Sequence, residues 1–72
     1  METGFWIADD GHIYGPAYSA QFWIENNWIY GPKNSGRYWI KHGVIYGPTD
    51  DGKFRIDGGR ILGPRKSVPW VE

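Results

Sequence analysis

Apolar and polar residues alternate along this chain in short bursts, and the bursts recur. FWIADDGHIYGP, FWIENNWIYGP, YWIKHGVIYGP and FRIDGGRILGP follow one another, with Gly-Pro pairs at Gly15-Pro16, Gly31-Pro32, Gly47-Pro48 and Gly63-Pro64, a period of 16. Self-similarity at a fixed period marks a repeat architecture, so the fold is read from its unit. In each unit two apolar runs flank a turn: Asp9-Asp10-Gly11, Asn26-Asn27, His42-Gly43 or Gly58-Gly59. Asn, Asp and Gly tolerate the positive φ that a two-residue type I′ hairpin loop requires. The first unit is one residue longer at its turn and ends it in Gly, as a three-residue loop with a G1 bulge does. An insertion confined to the turn is what a hairpin predicts; a helix would lose phase there.

Counting outward from the turns sets Ile24 opposite Ile29, Trp23 opposite Tyr30 and Phe22 opposite Gly31, with the same register in the later units. If Lys33-Asn34-Ser35-Gly36 and Thr49-Asp50-Asp51-Gly52 close as four-residue loops, Tyr30 meets Trp39 and Ile29 meets Ile40 between hairpins. The expected organisation is one domain, 1–72, with hairpins at 5–15, 22–31, 38–47 and 54–63. A ninth strand is expected at 69–71, with Trp70 in the phase of Phe22, Tyr38 and Phe54.

Successive strand residues point to opposite faces. One face carries Phe5, Ile7, Ile13, Phe22, Ile24, Ile29, Tyr38, Ile40, Ile45, Phe54, Ile56 and Ile61, and no charge in any unit. The other carries Trp6, Tyr14, Trp23, Trp28, Tyr30, Trp39 and Tyr46 but also admits Glu25, Lys41, Arg55, Asp57 and Arg60. A face that accepts Arg and Glu touches water, so the Phe/Ile face is the core, with Ile24, Ile29, Ile40 and Ile45 expected to be largely buried. A flat sheet would leave that face wet. The aromatic opposite Gly in each unit suits curling, because Gly lets a ring lie over the neighbouring backbone. The expected fold is all-β: four hairpin repeats in a curled antiparallel meander or small barrel, with a hairpin solenoid as the alternative.

Composition agrees. Aromatics are 18% of the chain and Leu and Met occur once each, so strong β formers dominate the apolar set. A chain of 72 residues has little core to spare, and it has no cysteine to make a disulfide or a thiolate zinc site. The start lacks the basic and apolar regions of a signal peptide, and no run of 18 apolar residues exists, so a cytoplasmic location and no membrane partner are expected. The formal net charge of zero conceals a segregation. Residues 1–32 hold four carboxylates and no Lys or Arg, whereas residues 33–72 hold eight cations against four carboxylates. The halves are therefore −4 and +4, which reads first as drift of charge among solvated turns, and as function a basic docking end or head-to-tail association. If the meander fails to close, its edges at Phe5-Trp6-Ile7 and Trp70-Val71 would also invite pairing with another chain.

Catalysis is not expected, and neither is a metal or cofactor. His12 and His42 lie in or beside turns, Asp9-Asp10 and Asp50-Asp51 are ordinary turn formers, and Ser19, Ser35 and Ser67 sit in connectors with no base placed near them. The candidate site is the aromatic face: Trp6, Tyr14, Trp23, Trp28, Tyr30, Trp39 and Tyr46, with Arg55. Such a ladder can serve only to stiffen a thin sheet, since cross-strand aromatic pairs contribute about 0.2–1 kcal/mol each. Read as function, it is a binding platform, because Trp and Tyr are typical hot-spot residues. The expected role is a non-enzymatic module that binds a protein partner or its own copy. A glycan or cell-wall ligand is the alternative. A single-stranded nucleic acid comes third, disfavoured by zero net charge and by aromatics that precede the cations in sequence.

The tandem hairpins ENNWIYGP and KHGVIYGP resemble the choline-binding repeats of bacterial surface proteins. The resemblance implies aromatic boxes between successive hairpins, with Trp23, Trp28, Tyr30 and Trp39 as the matching residues. The period of 16 is shorter than that family's, and its pattern lacks the Gly-Pro.

Overall fold

A computed structural model describes residues 1–72. The strands are β1 (Glu2–Ile7), β2 (His12–Tyr14), β3 (Phe22–Glu25), β4 (Trp28–Tyr30), β5 (Tyr38–Lys41), β6 (Val44–Tyr46), β7 (Phe54–Asp57) and β8 (Arg60–Leu62). Each pairs antiparallel with the next, and β8 returns to β1, so the meander closes into a barrel. The turns form as their residues dictate. Asn26-Asn27, His42-Gly43 and Gly58-Gly59 all have positive φ, as type I′ loops require. In the first unit the Gly11 N–H donates to the Ala8 carbonyl and Gly11 lies at φ 88°, the G1-bulge loop.

Within hairpins the observed register is the expected one: Trp23 with Tyr30, Ile24 with Ile29, Trp39 with Tyr46, Ile56 with Ile61. Between hairpins it is displaced by two residues. Trp28, not Tyr30, faces Trp39, and Ile29 faces Tyr38 rather than Ile40. Closure is the physical reason, because strands in a barrel must tilt and stagger whereas a flat meander need not. A displacement of two preserves the faces, since a strand repeats every second residue.

The stagger divides the inner face into two layers. Phe5, Ile13, Phe22, Ile29, Tyr38, Ile45, Phe54 and Ile61, one per strand, are each at most 4% exposed. Ile7, Ile24, Ile40 and Ile56 pack against this ring at the turn end and are only half-buried. Ile29 and Ile45 therefore match the expected burial, while Ile24 and Ile40 are rim residues. Ile45→Ala is expected to destabilise by about 2–5 kcal/mol and Ile40→Ala by clearly less. Urea denaturation of the two variants checks this; equal losses would contradict the two-layer core. Across each hairpin Gly15, Gly31, Gly47 and Gly63 lie under the rings of Phe5, Phe22, Tyr38 and Phe54, so close that a Cβ there would sit less than 3.0 Å from ring carbons.

Hydrogen bonds at the seams repeat fourfold. The N–H groups of Ile7, Ile24, Ile40 and Ile56 donate to the carbonyls of Gly59, Gly11, Asn27 and Gly43 in the preceding turns at 2.7–2.8 Å. At the other end Ala20, Gly36 and Gly52 donate to the carbonyls of Ile13, Ile29 and Ile45. Gly15, Gly31 and Gly47 donate to Ser19, Ser35 and Asp51 side chains. The fourth copy of both bonds is made by the chain start. The buried Thr3 hydroxyl donates to the Ile61 carbonyl at 2.6 Å, and the Gly63 N–H donates to the Met1 carbonyl.

The ninth strand does not form, because β1 already occupies the edge of β8. Pro69–Val71 makes a 3-10 turn instead. Trp70 keeps the inward phase of the repeat but enters the connector end of the barrel as a plug, fully buried, edge-on to Tyr38 and Phe54 at 6.2 and 6.4 Å. Asn34 Nδ2 donates to the carbonyls of Trp70 and Glu72. Arg65 spans Asp50, in a two-pronged pair at 2.9 and 2.7 Å, and Glu72 at 3.3 Å.

The Arg65 guanidinium holds the Asp50 carboxyl below its ordinary range. A depressed folded-state pKa stabilises above the unfolded carboxyl's pKa of about 4, and that stabilisation is lost as pH falls through the folded value. Asp50→Asn is therefore expected to melt below the wild type at neutral pH, with the gap narrowing on acidification below the unfolded carboxyl's range. A gap that stays constant with pH would dissociate the effect from this carboxylate.

Candidate functional site

The barrel's outer equator is set by the residue that follows each inward aromatic and by the residues that flank each buried Ile. In β1, β3 and β5 the outward residue is Trp6, Trp23 or Trp39; in β7 it is Arg55. The strands opposite contribute Tyr14, Tyr30, Tyr46 and Leu62. Rings stack within hairpins: Trp6 on Tyr14 with centroids at 4.7 Å, Trp23 on Tyr30 at 6.1 Å and Trp39 on Tyr46 at 6.1 Å. Between hairpins His12 tilts against Trp23 at 6.4 Å and Trp28 against Trp39 at 5.4 Å. The seven aromatics named from sequence thus form one belt over β1–β6. Arg55 lies outside it, paired with Val44 and Leu62, where the fourth unit replaces rings with aliphatic and basic residues.

The belt is curved. It wraps a barrel 23 Å across, and β1 and β5 stand four strands apart in either direction, so Trp6 and Trp39 face opposite ways. Trp6, Trp23, Trp28 and Trp39 are 47, 38, 40 and 37% exposed, while the tyrosines are half-buried beneath them. Each of the four exposed tryptophans has at least one neighbouring ring packed against it. A shallow open groove runs beside Trp28 and Trp39, floored by Gly36 and Gly47 and bounded by Arg37 and Pro48. Trp28 and Trp39 touch each other rather than standing apart around a ligand.

Several titratable groups are engaged in local structure. Asp10 accepts the His12 N–H at 2.9 Å, which lowers its pKa, and its other oxygen lies 3.3 Å from His12 Nδ1. Asp51 accepts from Gly47, and Ser19 and Ser35 accept from Gly15 and Gly31. Glu2 pairs with Arg60 at 2.7 Å across the β1–β8 seam. Part of the charge segregation along the chain is therefore used inside the molecule to close the barrel. His12 is the belt member that the sequence reading set aside as a turn residue; its place one residue before Ile13, on the same face as Tyr14, was the available signal.

No family model, curated protein or solved structure matches this chain.

Proposed function

We propose that this protein is a non-enzymatic interaction module that binds a protein surface through its tryptophan belt. One observation carries the reading: four tryptophans are exposed on a barrel whose core and closure are made by other residues. Burying such side chains in an interface gains apolar area and the ring contacts that dominate hot spots. Closure leaves no free strand edge between β1 and β8, so strand addition at the ends of the meander is not the route. The contact is made by side chains on the outer face.

The test is a variant carrying Trp23→Ala, Trp28→Ala and Trp39→Ala. It is expected to keep the β-sheet circular dichroism of the wild type and to lose at least about tenfold in affinity for any partner captured by the wild type, a loss of about 1.4 kcal/mol or more. Capture that transfers to oligo-dT and is lost steeply with salt would identify a nucleic-acid binder instead. Retained affinity in the triple variant would remove the belt from the reading.

A further inference from the structure

The closed barrel turns the charge split of the sequence into two opposed faces. On the β1–β3 side, Asp9 in the first turn and Glu25 at the end of the Trp23 strand are exposed and have no cationic partner. On the β5–β7 side, Arg37, Lys41 and Arg55 have no carboxylate partner: Arg37 and Lys41 border Trp39, and Arg55 lies on β7 beyond Val44, while Asp51 and Asp57 on the same side have no cationic partner. The cations elsewhere are mostly used: Arg60 by Glu2, Arg65 by Asp50 and Glu72, and Lys33 by the Val71 carbonyl. The β1–β3 face therefore combines exposed tryptophan with net negative charge, and the β5–β7 face, where three unpaired cations outnumber Asp51 and Asp57, combines it with net positive charge. The centres of the two faces, β2 and β6, are four strands apart in an eight-strand ring.

We propose that the occupant of the basic aromatic face is the acidic aromatic face of a second copy of this chain. The inference rests on the belt being the binding surface and specifies what the belt meets. Complementary charge selects which parts of two belts come together, because like faces repel. Faces on opposite sides of a barrel cannot satisfy each other in a closed two-fold dimer. The contact is heterologous, and repeated it extends a chain of barrels. Its area is small, since the whole barrel exposes only 4267 Å², so association is of the weak, transient class. Trp39 has Trp28 and Tyr46 against its ring, which leaves less of it free for the open stacking that unpaired bases need.

Sedimentation velocity across protein concentration, at about 10 mM and about 500 mM salt, tests this. The expected result is a mass that grows past the dimer with concentration at low salt and returns to the monomer at high salt. Two charge-reversed forms give the decisive arm. Lys41→Glu with Arg55→Glu leaves two acidic faces, and Asp9→Lys with Glu25→Lys leaves two basic ones. Each alone is expected to lose association about tenfold or more, and an equimolar mixture to recover it as a pair. A wild type that stays monomeric, or reversed forms that associate as it does, overturns the proposal. Trp39→Ala separates the two readings. If it leaves association intact while charge reversal abolishes it, the faces stand and the belt fails; if the triple tryptophan variant loses a foreign partner while the wild type stays monomeric, the belt stands and self-docking fails.

Discussion

Trp70→Ala is expected to leave the chain largely unfolded at room temperature. The indole is fully buried at the connector end, edge-on to Tyr38 and Phe54. Emptying such a site costs about 3–5 kcal/mol. At about 0.05–0.15 kcal/mol per residue, a chain of this length has roughly 4–11 kcal/mol in total, so the loss takes a large share. Trp70→Phe separates volume from hydrogen bonding. The indole Nε1 has no partner in the structure, and a buried unpaired donor costs about 1–3 kcal/mol. Phenylalanine removes that cost while keeping a ring, so Trp70→Phe should lie much nearer the wild type than Trp70→Ala. Urea denaturation followed by circular dichroism decides; a Trp70→Ala midpoint equal to the wild type's would show that the plug is not part of the cooperative core.

Gly47→Ala should be nearly as damaging, although it adds only a methyl. The new Cβ would meet three atoms of the Tyr38 ring inside 3.0 Å. The ring has nowhere to go: it is 2% exposed, it abuts Trp70, and its hydroxyl bonds Thr49 Oγ1 at 2.7 Å. Overpacking usually costs about 1–3 kcal/mol, and a backbone-pinned ring places this case at the upper end. Gly58→Ala is the contrast. Its Cβ would meet nothing within 4 Å, but the residue lies at φ 59°, so the cost is conformational and about 1 kcal/mol. Thermal melts of the two variants should differ clearly. A harmless Gly47→Ala would mean that the inner ring is looser than its packing shows.

The contrast between these glycines also shows what the sequence could and could not reveal. Local chemistry was legible. Asn26-Asn27 and His42-Gly43 announce their loop type, and the absence of charge at Phe22, Ile24 and Ile29 identifies the inner face. Gly opposite Phe predicts a ring lying on backbone. What stayed hidden depends on closure, a property of the whole ring. The two-residue stagger that sets Trp28 against Trp39 is required by strand tilt, and no residue in the connectors encodes it by itself. The fate of Trp70 turns on competition, since its phase suits both strand and plug, and β1 holds the position a ninth strand would take. For the same reason the aromatic residues were identifiable one by one, but their division between opposite sides of the molecule was not.

The substitution of Met1 and Thr3 for the missing fourth copies of two hydrogen bonds also governs how the chain folds. Seven of the eight strand pairings join neighbours in sequence, but the contacts of Thr3 with Ile61 and of Glu2 with Arg60 span 58 residues. Loop-closure entropy grows as about (3/2)RT ln n, so bringing these ends together costs about 2 kcal/mol more than closing a single connector. The hairpins can zip in any order, while the last seam waits for all of them and sets the folding rate. If the same seam is where the native ring opens first, the amides of Ile7 and Gly63, which bond across it, are expected to exchange with solvent ahead of those of Ile24 and Ile40.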